Sequence, residues 1–488
     1  MTAPRIRFAP VKCGPTTDIT TATITTCVSG DGSSKPARRI RRSAGKSRSG
    51  CRECKTRRVK CDETFPVCLR CQRRGEHCSS VPRPDQWQME LPWLSTLGMN
   101  PPASFTWDPF HHISFMNKKL LQQWFETTSR IMVVDHGQNP LSFPILTHLS
   151  NAPSLAHIIQ SISAAYQHFF EHSKLNLCLE ERSKAMSTLR TELQHGGRPL
   201  MPYLLTTYLL GISSSFIDED FIDYGKEHFF AFRHMLELIL ADPEARTDPL
   251  MRFVVGAYVY WSLTCSTLVD PAEQEPPSTS QLNEYIINMG DNRHPITGSY
   301  TKLFYLLGKL GRHCRAVVEG GYRDAPLERT FEQQLLQWTP SGDDIPWDTT
   351  ADAFRYHGLL MLHRICGHNA DATSPQDHAY TFSTDNELKI KEYATQTIQS
   401  LSSIPIDSPL MVLQPIPLMT AGAELTEDDG LLRGTVIERF QALSSFNRLP
   451  ANLRATQLLQ ELWELKDMGV GISWLELMLL KNWRLRLG

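Results

Sequence analysis

The sequence predicts a small cysteine-organised domain followed by a large all-α body, and three observations predict it. Six of the twelve cysteines of this 488-residue chain fall between residues 51 and 78. From about residue 115 onward, apolar residues recur at spacings of three and four with little strand-like alternation. Between the two lies a proline-rich stretch that no long helix crosses. The chain is accordingly divided into a disordered basic arm (1–44), the cysteine domain (45–80), a Pro-rich linker (81–112) and the helical body (113–488).

The first residues, MTAPRIRFAPVKCGP, carry no apolar core of the kind a secretory signal needs, so reduced thiols are expected. The remaining cysteines, Cys13, Cys27, Cys178, Cys265, Cys314 and Cys366, are scattered singly, as in an intracellular protein. Residues 35–48, KPARRIRRSAGKSR, read as a flexible arm. Arg38, Arg39, Arg41 and Arg42 there suit nuclear import, phosphate binding or both.

Within the cysteine domain the spacing is C-x2-C-x6-C, six residues, then C-x2-C-x6-C again, so that Cys51, Cys54 and Cys61 are repeated by Cys68, Cys71 and Cys78. Zinc in a structural site takes four tetrahedral ligands and binds thiolate well. One zinc would strand two sulfurs. Two zincs need eight ligand places, which six thiolates fill only if two sulfurs each bridge both metals. The duplication makes the bridging pair equivalent in the two halves: Cys51 with Cys68, Cys54 with Cys71, or Cys61 with Cys78. Spacing alone leaves these three open.

These residues resemble the fungal zinc binuclear cluster (Zn2Cys6) transcription factors. All six cysteines fit that family's spacing, as do the basic run KTRRVK and Pro66 between the halves. The resemblance implies two zinc ions with Cys51 and Cys68 bridging, and a helix starting near Cys54 that enters the major groove at a CGG-type triplet. It puts Arg57 and Arg58 at the base-reading positions, with Lys55 and Lys60 completing the basic run.

Charge agrees with a DNA partner. Residues 35–78 carry fifteen Lys or Arg against four acids, a net +11 in a chain whose formal total is −2. Two zincs and six thiolates together add −2, which leaves about +9 on the segment. Such a cation gains phosphate affinity by counterion release, and an arginine in the groove grips guanine O6 and N7 together. A basic run on its own is usually a solvated face. Enclosure by metal ligands reverses that preference here, while His77, beside Cys78, reads as an exposed residue and not a ligand.

After the cluster many relatives continue into a dimerising coiled coil. Here Pro82, Pro84, Pro92, Pro101 and Pro102 exclude one long helix, so no zipper dimer is evident and the oligomeric state stays open. The body begins with Ile158, Ile162, Ala165 and Phe169 on one stripe, then Ala185, Leu189 and Leu193 on another. Further helical segments are DYGKEHFFAFRHMLELILA, TKLFYLLGKLGRHCRAVV, DAFRYHGLLMLHRIC, QLLQELWELKDM and SWLELMLLKNWRLRL. Residues 115–245 also resemble the fungal-specific transcription factor domain, which implies an all-helical regulatory domain.

Two stretches, 199–217 and 253–269, are uncharged over 19 and 17 residues, near the length of a membrane span. Their prolines, serines and threonines favour buried bundle helices, so no membrane partner is expected. The acidic stretches 343–354 and 423–432 read as inter-helix loops or activating segments, and 269–280 as an unstructured excursion. No nucleophile elbow, phosphate loop or H-E-x-x-H motif is present, so an enzyme is not expected.

The reading is a nuclear, sequence-specific transcription factor of RNA polymerase II genes that binds double-stranded DNA and the transcription machinery. By resemblance it controls a metabolic or secondary-metabolite gene cluster. The rival is a zinc-dependent protein-interaction module without sequence-specific DNA binding.

Overall fold

The computed structural model describes residues 50–64, 67–75, 78–79, 116–149, 152–169, 175–196, 200–218, 222–273, 280–289, 293–342, 344–367 and 384–488. The arm with Arg38, Arg39, Arg41 and Arg42, the Pro-rich linker, Pro66 and His77 lie outside the described residues.

Two short helices, α1 (Arg52–Thr56) and α2 (Leu69–Gln72), belong to the cysteine domain. The body opens with α3 (Lys118–Gln123), started by the Asn117 side chain, which accepts the Lys119 N–H at 3.0 Å. It continues through α4 (Leu146–Leu149), α5 (Pro153–His168), α6 (Leu175–Gln194), α7 (Met201–Ile217), α8 (Lys226–Ala241), α9 (Met251–Thr264) and α10 (Ser280–Asn288). The second half holds α11 (Thr301–Gly320), α12 (Ala325–Gln337), α13 (Ile345–Ile365) and α14 (Thr384–Ser403). It ends with α15 (Pro415–Gly422), α16 (Gly430–Asn447), α17 (Pro450–Asp467) and α18 (Trp474–Leu480). Among the described residues the extended pairing is one antiparallel bridge between His294 and Gly298, so the body is all-α as the periodicity predicts.

Neighbours in sequence are mostly neighbours in space: α5 packs on α6 and α7, α7 on α8, and α13 on α14. Longer-range pairings of α9 with α11, α11 with α13, and α13 with α15 tie the two halves together. A continuous apolar core runs from Met116 to Leu487. The two uncharged stretches become α7 and α9, which are buried on nearly every side, the pattern of core helices. No described helix is long and apolar enough to cross a membrane.

The acidic stretch 343–354 corrects the loop reading. Asp344 accepts the Trp347 N–H at 3.4 Å as the N-cap of α13, and Pro346 sits in the first turn, where its missing N–H costs nothing. What looked like a loop is a helix start. In the stretch 423–432, Glu424 is buried between Arg364 (2.7 Å) and Lys466 (2.9 Å), and a turn at Glu427–Asp429 leads into α16. The proposed excursion at 269–280 contains a helical turn at Pro271–Glu273; residues 274–279 lie outside the described residues.

Candidate metal centre and nucleic-acid interface

The two halves of the cysteine domain repeat in geometry as they do in sequence. Cys51 caps α1, its sulfur accepting the Cys54 N–H at 3.4 Å, and Cys68 caps α2, accepting the Cys71 N–H at 3.4 Å. Each C-x2-C pair is thus set by one helical turn. The third cysteines also accept backbone N–H groups, Cys61 from Glu63 and Cys78 from Cys68, each at 3.3 Å. All six are buried.

The sulfurs converge. Cys51 lies 3.7 Å from Cys68 and 3.8 Å from both Cys71 and Cys61, and Cys54 lies 3.7 Å from Cys68. A zinc tetrahedron with Zn–S bonds of about 2.3 Å has a sulfur–sulfur edge of about 3.8 Å, so these spacings fit zinc. The six thiols form two quartets, Cys51, Cys54, Cys61, Cys68 and Cys51, Cys68, Cys71, Cys78. Cys51 and Cys68 belong to both. Of the three pairs that the spacing left open, geometry selects this one as the bridge.

Burial pushes the Cys51, Cys54 and Cys71 thiols above their ordinary range. Cys68 is the exception, where burial is outweighed by hydrogen bonds from Cys71, Cys54 and Cys51 that bring it down to about 7, and two zinc ions, when bound, supply the positive charge that the raised thiols need to ionise. Polar side chains close the site from outside. Glu53 accepts the Ser79 N–H and hydroxyl, both at 2.9 Å, and Asp62 accepts the N–H groups of Thr64 and Leu69 at 3.1 Å. Neither acid stood out in the sequence, because acids beside a basic run look like solvated neighbours.

The basic run divides. Helix α1 starts at Arg52, two residues before the position that the resemblance implied, and ends at Thr56, so Arg57 and Arg58 lie in the turn beyond it. Arg57 turns inward and donates to the Cys71 sulfur at 3.2 Å and to the Glu53 carbonyl at 3.1 Å. Lys55, Arg58 and Lys60 face outward and are exposed. Arg58 sits at φ 56°, a left-handed conformation that a bulky side chain rarely takes.

Comparison with known proteins agrees with this geometry. The model of the fungal Zn(2)-Cys(6) binuclear cluster domain matches residues 49–88, and that of the fungal specific transcription factor domain matches residues 119–488. Over 38 residues the chain is 55% identical to a Zn(2)-C6 fungal-type transcription factor of Gibberella zeae, 8% of either chain. Over 34 residues it is 59% identical to the aspercryptin biosynthesis cluster-specific transcription regulator atnN of Emericella nidulans, covering 7% of this chain and 6% of that one. A longer match, 25% identical over 174 residues, joins it to the transcriptional regulatory protein moc3 of Schizosaccharomyces pombe, 33% of this chain and 32% of that one. These alignments span a third or less of the relatives' own lengths. No solved structure matches. With a six-cysteine cluster shaped for two zinc ions at one end and a family match over well over half its length, the chain belongs to the fungal Zn(2)-Cys(6) transcription factor family.

Proposed function

We propose that the protein is a nuclear transcription factor of RNA polymerase II genes that reads CGG-type sites in double-stranded DNA and engages the transcription machinery. The observation that carries the reading is the outward display of Lys55, Arg58 and Lys60 on a core fixed by six cysteine sulfurs. A rigid mount matters because bidentate contact with guanine O6 and N7 tolerates little misplacement. In this reading Arg58 meets a base edge, Lys55 and Lys60 meet phosphates, and Arg57 steadies the turn through Cys71. The arm residues Arg38, Arg39, Arg41 and Arg42 add import and phosphate contacts. The name of the Emericella nidulans relative supports a role in controlling a biosynthetic gene cluster.

The test is a selection on random duplex DNA with the full-length protein. Enrichment of a CGG-containing site is expected; uniform, salt-sensitive binding would favour the zinc-dependent interaction module instead. Arg58→Ala should lose discrimination at one base position, by about 1–3 kcal/mol, while Arg42→Ala should weaken all sequences alike and reduce the salt slope by about one.

A further inference from the structure

Three elements of the second half bring four reactive side chains together. His313 and Cys314 stand on α11, Glu328 on α12, and Cys366 follows α13 as its C-cap. The His313 imidazole lies 3.0 Å from the Glu328 carboxylate, and a His313 nitrogen, a Glu328 oxygen and the Cys366 sulfur all fall within 4.8 Å of one another. The Cys314 thiol donates a hydrogen bond to the Cys366 sulfur. Arg323 closes the cluster from outside, its guanidinium donating to Glu328 and, at 3.1 Å, to the carbonyl of Gly367. Cys366 is 3% exposed and Arg323 40%, so the cysteine pair lies just under the surface.

His, Glu and Cys side chains can hold a metal, but the charge of this trio opposes one. Hydrogen bonds with Cys366 and Glu328 push His313 up to about 9, so it is a cation at neutral pH. Glu328 thus already faces two cations, His313 and Arg323. The same surroundings favour a thiolate. The hydrogen bond from Cys314, and after it the one from His313, outweigh burial and bring Cys366 down to about 7. Cys314, the donor, is held well above the ordinary thiol range by that bond and by burial. Burial also pushes Cys178 up, and Cys265 up to about 11. A thiolate beside a protonated thiol is the arrangement of an attacking and a resolving cysteine.

We propose that Cys366 and Cys314 are a peroxide-responsive thiol pair, which closes into a disulfide between the end of α13 and α11. The Cys366 thiolate attacks one oxygen of hydrogen peroxide, the O–O bond breaks, and the departing hydroxide takes the His313 proton and leaves as water. Cys366 is then a sulfenic acid. The Cys314 sulfur attacks the Cys366 sulfur, the S–O bond breaks, and hydroxide leaves as water with the Cys314 proton. Two thiols have become a disulfide and one peroxide two waters; a dithiol reverses the change. The bond fixes the contact of α11 with α13, one of those that tie the two halves of the body together.

The test treats reduced, full-length, zinc-loaded protein with an equimolar amount of hydrogen peroxide, blocks the remaining thiols with N-ethylmaleimide, and digests without reductant. Mass spectrometry should find the Cys314 and Cys366 peptides joined, and separated by dithiothreitol. Cys366 should oxidise about tenfold or more faster than Cys178 or Cys265. Neither readout needs a variant. In Cys314→Ser, dimedone should trap the sulfenic acid on Cys366 in place of the disulfide. Cys314 and Cys366 still free after peroxide, Cys366 joined to a different cysteine, oxidation of Cys366 no faster than that of Cys178, or a third zinc in the native mass spectrum would each overturn the assignment.

Discussion

Cys51 and Cys68 differ from the other four thiols of the cluster in belonging to both sulfur quartets. Losing either leaves neither metal with four sulfurs, whereas losing Cys61 touches one quartet alone. Native mass spectrometry of the full chain should show two zincs for the wild type, about one for Cys61→Ser, and fewer still for Cys51→Ser or Cys68→Ser. Equal loss in all three variants would sink the bridging assignment. Which cysteines bind was legible in the sequence, because ligand spacing is a local property and the repeat displays it twice. Which two bridge was not, since that depends on how the halves fold onto each other. The inward turn of Arg57 was hidden for the same reason: its partner Cys71 is fourteen residues away and on the other half.

At the scale of helices, the meeting of α7 and α9 depends on a missing side chain. A Cβ on Gly211 would lie 2.2 Å from the Trp261 ring, and Trp261 is itself enclosed by Tyr208, Phe229 and Phe232. Gly211→Ala should therefore destabilise by about 1–3 kcal/mol in chemical denaturation. Gly434→Ala, in α16 with open space at its Cβ, should instead stabilise by about 0.4–1 kcal/mol. A second joint, between α11 and α12, is electrostatic. His313 lies 3.0 Å from Glu328, which Arg323 also holds. The Cys366 thiol and Glu328 push His313 up to about 9. A raised histidine contributes stability that is fully present below its ordinary value of about 6.5 and is lost as pH rises through about 9. The difference in thermal midpoint between wild type and His313→Gln should narrow over that window; a constant difference would mean that the imidazolium charge does not matter. The sequence displayed these helices clearly where apolar periodicity ran long, as in α5, α8 and α11. It misled at α13, where an acidic, proline-containing start has the composition of a loop, and only the cap geometry of Asp344 tells the two apart.

On the scale of the molecule, the proposed CGG triplet is too little DNA to select a site by itself. A triplet cannot select a site among a genome's roughly 10⁶ or more competitors, so a second contact is required. No zipper is evident as its source on the sequence pattern, because the prolines after Cys78 interrupt a long heptad seam. Pairing through the helical body would need an apolar face. Several exposed large apolar residues stand on different elements, Leu238 on α8, Ile287 on α10, Leu336 on α12, Leu431 on α16 and Leu480 at the end of α18, but Leu179, Met186 and Leu193 recur at seven-residue spacing along α6. Single exposed residues are ordinary on a protein surface and do not amount to an interface, whereas the α6 row is a narrow apolar face that a second copy could cover. Between that face and the strongly charged arm we propose that the second contact is the basic arm at residues 35–48, lying along phosphates beside one CGG half-site. Sedimentation of the full-length protein on a duplex with one half-site should give one protein per DNA, and removal of the arm's charge by Arg38→Ala, Arg39→Ala, Arg41→Ala and Arg42→Ala together should weaken binding and flatten its salt dependence. Two proteins per duplex, or a salt slope untouched by those four changes, would move the second contact from the arm to the body.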